Sequence, residues 1–380
     1  MKTSSLIVVI FTTVLAYSTF YMPQPMLPLI AQEFGVTATD AALLIAITMV
    51  PLGFAPIFYG YLTEYVSTKR LLLVTVGLLT VSQFALSEAS AYWNLVALRF
   101  AQGLLLPAIF TSLMTYSAQS AKASKVRNAI NVYVSATIFG GFSGRLLGGV
   151  LSDVSSWRLP FLLTSGLLLL SCALLATLPS ENKTEANKIE LGAARRILGQ
   201  PFYRDAYLCI FLVFFVFASM LNYLPFRLKS IDPEISESML SLLYLGYLSG
   251  SLIAFNGSRI ADWFDGELRG VFAGLLLLGC GIGATLIPNL LSTYLVAFAM
   301  CAAFFLAHSL LAAYLNHHTR SSRGVVNGLY LSFYYSGGAL GGWLPGFIYR
   351  AGGWSIYVIV LLMTLSLAIW WLWRMRLVAE

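Results

Sequence analysis

Long apolar runs separated by short polar breaks constrain this chain more than any other feature. The 380 residues are 58% hydrophobic and only 10% charged, whereas a soluble domain carries roughly 25% charged residues. In lipid, only helices and closed barrels satisfy their own backbone polar groups, and a spanning helix needs about 20 apolar residues. Twelve runs approach or exceed that length: 6–30, 41–62, 71–86, 93–116, 130–151, 159–178, 207–226, 239–255, 271–287, 294–314, 325–348 and 354–373. The sequence therefore predicts an all-α membrane protein with twelve transmembrane helices.

A glycine-rich stretch occurs twice in the chain. Residues 140–149 read GGFSGRLLGG and residues 337–346 read GGALGGWLPG, so the two copies are 197 residues apart. Without a gap, that offset aligns Gly140, Gly141, Gly144, Gly149 and Trp157 with Gly337, Gly338, Gly341, Gly346 and Trp354. A repeat of about half the chain length indicates two homologous halves of six helices each.

One long polar segment lies between the sixth and seventh predicted helices. It separates an N-terminal six-helix bundle, residues 1–178, from a C-terminal six-helix bundle, residues 206–380, and makes residues 179–205 a surface linker. Within the linker, residues 191–198 have the pattern of an amphipathic helix on the membrane face. The predicted fold is thus two pseudo-symmetric bundles.

Lysine and arginine are distributed unevenly between the two sides of the predicted bundle. If the N-terminus lies inside, only Arg158, Arg227, Lys229 and Arg350 of the 23 Lys and Arg lie outside, and two lie within helices. Cytoplasmic loops of membrane proteins carry an excess of Lys and Arg. We therefore expect both termini, and the linker, to be cytoplasmic. The net charge of +7 follows from this topology and does not indicate nucleic-acid binding.

Two short motifs agree with this architecture. The loop after the second predicted helix reads GYLTEYVSTKR at 60–70, and the fourth helix contains RFAQG at 99–103. Both resemble signatures of the major facilitator superfamily, a family of twelve-helix transporters, and the resemblance covers nearly the whole chain. The loop departs from the usual pattern, because Glu64 stands at the aspartate, Tyr65 at an arginine and Ser67 at the second glycine. An acid at a helix end opposite basic groups can latch two helices in one state, which we expect of Glu64 and of Asp262 in the matching loop. The alternative is an ordinary solvated helix end, where such pairs contribute little.

The glycine-rich stretch resembles the antiporter signature of the superfamily, with Arg145 where many members have proline. Together with Asp153 and the Trp157-Arg158 pair, it is similar to the sugar- and drug-efflux permeases of bacterial inner membranes. Glycines allow close helix packing. We expect the two copies to face each other as a paired gate near the outer surface, built on Gly140, Gly144, Gly148, Gly337 and Gly341.

Polar residues inside the predicted helices indicate a central path. An arginine at the depth of Arg99 costs roughly 2.5–3.5 kcal/mol to insert, so we expect it to face a wet cavity or a partner; the alternative is snorkelling to the nearby surface. The family resemblance implies that the first, fourth, seventh and tenth helices line the path. The candidate substrate and cavity residues are Tyr17, Tyr21, Gln24, Arg99, Gln102, Asn131, Arg145, Asn222, Tyr223, Tyr330 and Tyr334. For any one of them, a hydrogen bond between helices without ligand contact is the alternative.

Proton coupling needs a titratable group, and no Asp or Glu lies in the middle of a predicted span. Glu33 is the acidic candidate, since it ends the first helix and is expected to reach Arg99 or Arg145. His308 is another, because an unperturbed imidazole has a pKa near 6.5; a helix-packing role is the alternative. Arg99 itself is the third candidate.

These observations predict a monomeric secondary transporter of a bacterial inner membrane, in contact with lipid. It would move a small organic solute by alternating access, with proton-coupled efflux, an antiport reaction, favoured. The alternative within transport is uptake, by symport or facilitated diffusion, of a small polar or anionic metabolite; the alternative of another class is a non-transporting sensor or scaffold. Neither an enzyme nor a cofactor or metal is expected, since paired carboxylates, a metal-ligand set and a phosphate-binding loop are missing from the sequence.

Overall fold

The computed structural model describes residues 3–119, 126–179, 191–319 and 322–379. Every regular element in these ranges is helical. The α-helices are Thr3–Tyr21 (α1), Leu27–Phe34 (α2), Ala38–Tyr65 (α3), Thr68–Ser87 (α4), Tyr92–Gln119 (α5), Val126–Val154 (α6), Arg158–Ala176 (α7), Leu191–Leu198 (α8), Pro201–Ile231 (α9), Glu237–Leu242 (α10), Gly246–Phe255 (α11), Gly257–Trp263 (α12), Glu267–Ala284 (α13), Leu290–His318 (α14), Arg323–Trp343 (α15) and Pro345–Ala379 (α16).

The predicted all-α membrane fold is confirmed. Ten stretches of the described chain are long and apolar enough to cross a membrane. Helices α3 and α15, of 28 and 21 residues, take the two remaining predicted positions. Helix α8 coincides with the amphipathic helix expected at 191–198, and α9 begins at Pro201, six residues before the predicted span.

Proline and glycine set the interruptions in the long helices. Pro23, Pro25 and Pro28 lie where α1 gives way to a 3-10 turn at Gln24–Met26 and then to α2, because proline lacks the backbone donor that a continuous helix needs. Gly353 interrupts α16 with φ of +69° and ψ of −172°, a conformation open to glycine. It divides the end of the eleventh span from the twelfth.

Six transmembrane positions form each bundle, and the two bundles are related by the sequence repeat. Helix α1 packs on α6 in the first half, and α9 packs on α15 in the second. A Cβ at Gly140 or Gly144 would overlap the main chain of Val14 or Ser18, and one at Gly337 or Gly341 would overlap the main chain of Phe211 or Phe215. Both members of each contact are shifted by the same 197 residues. The two halves therefore share this helix pairing.

The expectation that the two glycine stretches face each other is wrong. Gly140, Gly144 and Gly148 recur every four residues on one face of α6, and that face lies against α1 of its own half. Close main-chain approach is possible on that side because these residues lack a side chain. Gly337 and Gly341 lie in the same way against α9.

A different face of each glycine-rich helix meets the other half. Gly149 of α6 lies against Glu237 and Ser241 at the start of the eighth span. The equivalent Gly346, at the start of α16, lies against Tyr223 of its own half and against Thr39 at the start of α3. We call the end of the bundle that holds the start of α1 the proximal end and the opposite end the distal end. The two halves meet at the distal end.

Candidate functional site

Arg145 is buried where the two halves meet. Its Nε donates to Oε1 of Gln24 at 2.5 Å, Nη1 donates to the carbonyl oxygen of Gly141 at 2.7 Å, and Nη2 donates to the hydroxyl of Tyr247 at 3.0 Å. Gln24 lies in the 3-10 turn after α1, whereas Tyr247 lies on α11 of the other half. The guanidinium thus bonds to both halves at once.

Three tyrosine rings surround the same guanidinium. Its central carbon lies 4.0 Å from the ring centroid of Tyr21, 4.2 Å from that of Tyr247 and 5.1 Å from that of Tyr244. A cation within about 6 Å of an aromatic face is attracted to the ring electrons. Two of the three rings belong to the second half, so the ring contacts also link the halves.

A relay of amides connects Arg145 to its equivalent position in the repeat. Nε2 of Gln24 donates to Oδ1 of Asn222 on α9 at 2.7 Å, and Nδ2 of Asn222 donates to the carbonyl oxygen of Gly342 at 3.2 Å. Gly342 lies 197 residues after Arg145. We call Tyr21, Gln24, Arg145, Asn222, Tyr244 and Tyr247 the Arg145 cluster.

The charge of Arg145 is not neutralised by a carboxylate among the described residues. Its bonds go to an amide oxygen, a backbone carbonyl and a hydroxyl. Acidic groups near the distal end are engaged elsewhere, since Glu33 pairs with Arg158 and Glu237 pairs with Lys229 at 3.3 Å. A fixed positive charge therefore lies between the halves.

Asp153 makes a second link between the halves at the distal end. Its carboxylate accepts from the backbone nitrogens of Glu237 at 3.0 Å and Ser238 at 2.9 Å. These nitrogens open α10, where a negative charge is favoured by the unpaired donors and the helix dipole. Asp153 thus caps a helix of the opposite half.

Arg99 is buried too, but all its partners belong to the first half. Nη2 donates to the carbonyl oxygen of Phe20 at 2.6 Å, Nη1 to that of Thr19 at 3.0 Å, and Nε to that of Leu44 at 3.0 Å. Nη1 also donates to Oε1 of Gln102 at 2.7 Å. The guanidinium therefore joins α5 to the end of α1 and to α3.

The network around Arg99 continues through the N-terminal bundle. Nε2 of Gln102 donates to Oε1 of Gln83 on α4 at 2.8 Å, and Nε2 of Gln83 donates to the hydroxyl of Thr164 on α7 at 2.8 Å. Arg99, Gln83 and Gln102 are all fully buried. Of the two expectations for Arg99, a wet cavity or a partner, the structure shows the partner, because backbone carbonyls and an amide oxygen bond to the guanidinium inside the bundle.

Glu33 does not reach either buried arginine. It bonds to Nη1 of Arg158 at 2.6 Å and accepts from Nε1 of Trp157. The chain continues past the prolines into α2, which carries Glu33 to the rim of the distal end, next to the start of α7. The predicted contact with Arg99 or Arg145 is therefore wrong.

Comparisons with known proteins identify the family. The family model described as Major Facilitator Superfamily matches residues 9–342. The chain belongs to the major facilitator superfamily. It is thus a multi-pass membrane transporter for a small-molecule substrate.

Relatives of this superfamily transporter match it over most of their length at low sequence identity. The inner membrane transport protein YnfM of Escherichia coli is 26% identical over 89% of this chain and 82% of its own. The multidrug efflux protein YfmO of Bacillus subtilis is 24% identical over 93% of this chain and 91% of its own. A bacterial homolog of the human lysosomal transporter Spinster, in an inward-facing and unoccupied conformation, superposes with a TM-score of 0.82 at 16% identity, over 99% of this chain and 98% of that one.

The aromatic residues predicted for the path of the transporter lie on both halves. Tyr17 stacks on Phe110 with ring centroids 3.9 Å apart, and Tyr334 stacks on Phe214 with centroids 3.7 Å apart. Tyr17 and Phe214 are equivalent in the repeat. The phenylalanines were not singled out from the sequence, because phenylalanine is common throughout these spans and carries no polar signal.

The remaining predicted site residues occupy different environments. The hydroxyl of Tyr330 lies 3.0 Å from Nδ1 of His308, which joins α14 to α15. Tyr223 is buried and donates to the carbonyl oxygen of Trp343 at 3.1 Å, whereas Asn131 is exposed on the proximal part of α6. Only some of the predicted set therefore lies together, around Arg145.

The two proximal loops that were expected to latch helices are described in part. The side chain of Glu64 lies outside the described residues, and Asp262 is exposed on α12. Lys69 donates to the carbonyl oxygens of Ala176 at 2.8 Å and of Leu178. A cation at the end of α7 is favoured by the unpaired carbonyls there.

Proposed function

We propose that the protein exports a small organic solute across a bacterial inner membrane by alternating access, with proton antiport as the driving reaction. The observation that carries the proposal is the hydrogen-bonded relay from Arg145 through Gln24 and Asn222 to Gly342. A relay that crosses between two bundles has to break when the bundles rock apart. This supports a role as the distal gate of a transport cycle.

The orientation of the proposed cycle follows from the basic residues. Because Lys and Arg accumulate at the proximal end, we assign that end to the cytoplasm, with both termini there. The cap of Asp153 on α10 and the contact of Gly149 with Ser241 then close the molecule toward the outside. The proposed substrate-loading state is open to the cytoplasm, which suits export.

Export is further supported by the relative named a multidrug efflux protein. The proposed substrate path runs along Tyr17, Tyr21, Asn131 and Tyr334, with Arg145 at its distal end. The glycine faces at Gly144 and Gly341 would let α6 move with α1, and α15 with α9, as rigid pairs during rocking.

His308 is the proton-coupling group that we propose to test first. The residue is half-buried, and its imidazole bonds to Tyr330 across two helices of the second half. Glu33 is a weaker candidate, since Arg158 and Trp157 already engage its carboxylate. A change in protonation of His308 would alter the contact between α14 and α15.

The experiment is transport by purified protein in proteoliposomes that contain a pH-sensitive dye. Addition of a transported solute should move protons in the direction opposite to the solute, and His308→Gln should keep counterflow while stopping proton movement. Solute flux that is independent of pH would overturn proton coupling. A neighbouring variant, His318→Gln, removes an exposed imidazole at the proximal end and serves as the matched control.

A second candidate is uptake of an anionic metabolite, for which the charge of Arg145 is the supporting observation. The two candidates differ in direction. Right-side-out vesicles that accumulate solute when the external pH is lowered would favour uptake, whereas loss of preloaded solute under the same gradient would favour export.

A further inference from the structure

We propose that the transported solute is an organic anion, with a carboxylate that pairs with Arg145 and an aromatic or apolar body that packs on the neighbouring tyrosine and phenylalanine rings. This rests on the proposed transport function and names the class of its substrate. Its support comes from the hydrogen bonds of Arg145, the lack of a counter-charge, the access to the guanidinium and the rings around it.

The first step is the difference in how the two buried arginines are solvated. Arg99 donates to three backbone carbonyls and an amide oxygen. Arg145 makes three hydrogen bonds to the described residues, and one of them goes to the hydroxyl of Tyr247. A guanidinium has five N–H donors, so Arg145 retains donors for a ligand.

The second step is the missing counter-charge. Among the described residues, no carboxylate forms a salt bridge with Arg145, although its side chain is fully buried. Burying a charge without a partner of opposite sign is costly. The tyrosine rings offset part of that cost. A carboxylate on the solute would supply the missing charge, and its two oxygens match the planar fork of a guanidinium.

The third step is access to the guanidinium. Tyr21 and Tyr247 cover it from opposite halves, and both are half-buried rather than fully enclosed. Tyr334 of α15 lies in the neighbourhood of both tyrosines. If Tyr247 moved away from Arg145, the guanidinium would become accessible from the path between the halves.

The fourth step is the surface available to the rest of the solute. The ring of Tyr247 meets Phe305 at 5.5 Å, edge to face, and Phe217 at 6.3 Å. Phe217 in turn stacks on Phe304 at 3.8 Å. Such rings accept an aromatic or aliphatic body next to the charged head.

The pairing gives the solute a part in the transport cycle. A carboxylate on Arg145 would replace the hydroxyl of Tyr247, which is one of the bonds between the halves. Binding would therefore weaken the distal gate and favour its opening. An inside-negative membrane potential would also drive the anion outward.

The test is thermal unfolding of the purified full-length protein, followed by tryptophan fluorescence. The probes are benzoate, decanoate, benzenesulfonate and phenyl phosphate, each compared with a neutral and a cationic analogue of the same shape. At least one anion should raise the unfolding temperature of the wild type while its analogues do not. Arg145→Gln should abolish that rise. The matched control, Arg227→Gln, removes a half-buried arginine of the distal end and should keep it.

Tyr247→Phe keeps the ring and removes the hydroxyl that competes for Arg145. Its affinity for the stabilising anion should rise by about tenfold, since a hydrogen bond to a charged group is lost from the unbound state. A merely structural role of Arg145 would not produce tighter binding. Unchanged affinity in Tyr247→Phe, stabilisation of wild type and Arg145→Gln alike, or no stabilisation by any anion would overturn the proposal.

Failure of this inference and failure of the transport proposal give different results. Suppose that a neutral or cationic compound exchanges in proteoliposome counterflow and that Arg145→Gln is as active as wild type. The transport proposal would then stand, and the inference of an anionic substrate would be wrong. If an anion binds through Arg145 but never exchanges across the membrane, the anion site stands and the proposed export is wrong.

Discussion

Arg99 and Arg145 are two arginines buried in neighbouring helices, yet they serve different parts of the molecule. Arg99 donates to carbonyls of α1 and α3, and its network continues through Gln102 inside one bundle. Arg145 bonds to Gln24 of its own half and to Tyr247 of the other. Both residues are arginines, but the bonds of Arg99 stay within one bundle whereas those of Arg145 connect the two bundles.

The comparison separates a residue that holds a bundle together from one that holds two bundles against each other. Bonds within one rigid body persist through rocking, so their loss is expected to appear in stability. Bonds between two bodies are made and broken in each cycle, so their loss is expected to appear in transport. Substitutions at the two arginines, at Gly342 and at Asp153 test that distinction.

The largest effect is expected from Arg99→Met. The substitution keeps much of the volume but takes the guanidinium donors from the carbonyls of Thr19 and Phe20. The carbonyl of Leu44 still accepts from the hydroxyl of Thr48. Each unsatisfied buried group costs about 1–3 kcal/mol, so the apparent melting temperature should fall by roughly 10 °C or more, or the protein should not accumulate. Arg350→Met, at an exposed arginine, is the control. If Arg99→Met abolished transport without changing the melting temperature, Arg99 would instead belong to the substrate path.

Arg145→Gln is expected to reduce the initial rate of transport by about a hundredfold, equivalent to about 2.7 kcal/mol, while the melting temperature changes by only about 3 °C. The stability effect is small because the variant also removes a buried charge that lacks a partner. Arg145→Lys should not restore the rate, since an ammonium cannot reproduce the planar fork. A fall in melting temperature as large as that of Arg99→Met would erase the distinction between the two arginines.

Gly342→Ala tests the other end of the relay. A Cβ there would lie 2.8 Å from Nδ2 of Asn222 and 3.4 Å from Cβ of Ala46, so the amide should be displaced from the carbonyl of residue 342. Transport should fall by about fivefold, in keeping with about 1 kcal/mol for one hydrogen bond. Gly166→Ala is the matched control, because nothing lies within 4 Å of the added atom. Equal rates in the two variants would mean that the relay does not act in the cycle.

The smallest effect is expected from Asp153→Asn. Loss of the negative charge at the start of α10 removes about 0.3–1 kcal/mol, which shifts the balance between distal-closed and distal-open states by about two- to fivefold. Spin-label distances between the distal ends of α6 and α10 would measure the shift. Glu88→Gln removes an exposed acid at the same end and should leave the distances unchanged. A distance distribution in Asp153→Asn identical to wild type would remove Asp153 from the gate.

Much of the fold could be predicted from the sequence, because lipid leaves few choices for an apolar chain. Apolar length marked the spans, and the exact-offset repeat of Gly140 and Trp157 with Gly337 and Trp354 marked the two halves. The prolines after Tyr21 could have shown where the first span is interrupted, because proline lacks a backbone donor. Each of these signals can be read from the sequence without knowing which side chains meet in the fold.

The candidate site was harder to predict, because partners of buried arginines carry little sequence signal. Arg99 donates to backbone carbonyls, which every residue possesses. The sequence therefore could not show that the hydrogen-bond donors of Arg99 are satisfied inside one bundle. Glu33 was expected near the arginines, but the prolines turn the chain away before it. The glycines at every fourth position were visible in the sequence, but the helix that packs on them was not. Their contacts are to the main chain of residues as different as Ser18 and Phe215.

Arg145 and Gly342 occupy the same place in the two copies of an ancestral unit, and their difference makes the copies dependent on each other. A homodimer of two first halves would bring two guanidinium groups to one interface, where like charges repel. A homodimer of two second halves would keep the bond from Asn222 to the carbonyl of Gly342 but would have no guanidinium at the interface. The duplicated halves have become complementary, so only the fused pair, or two different half-chains together, can rebuild the junction.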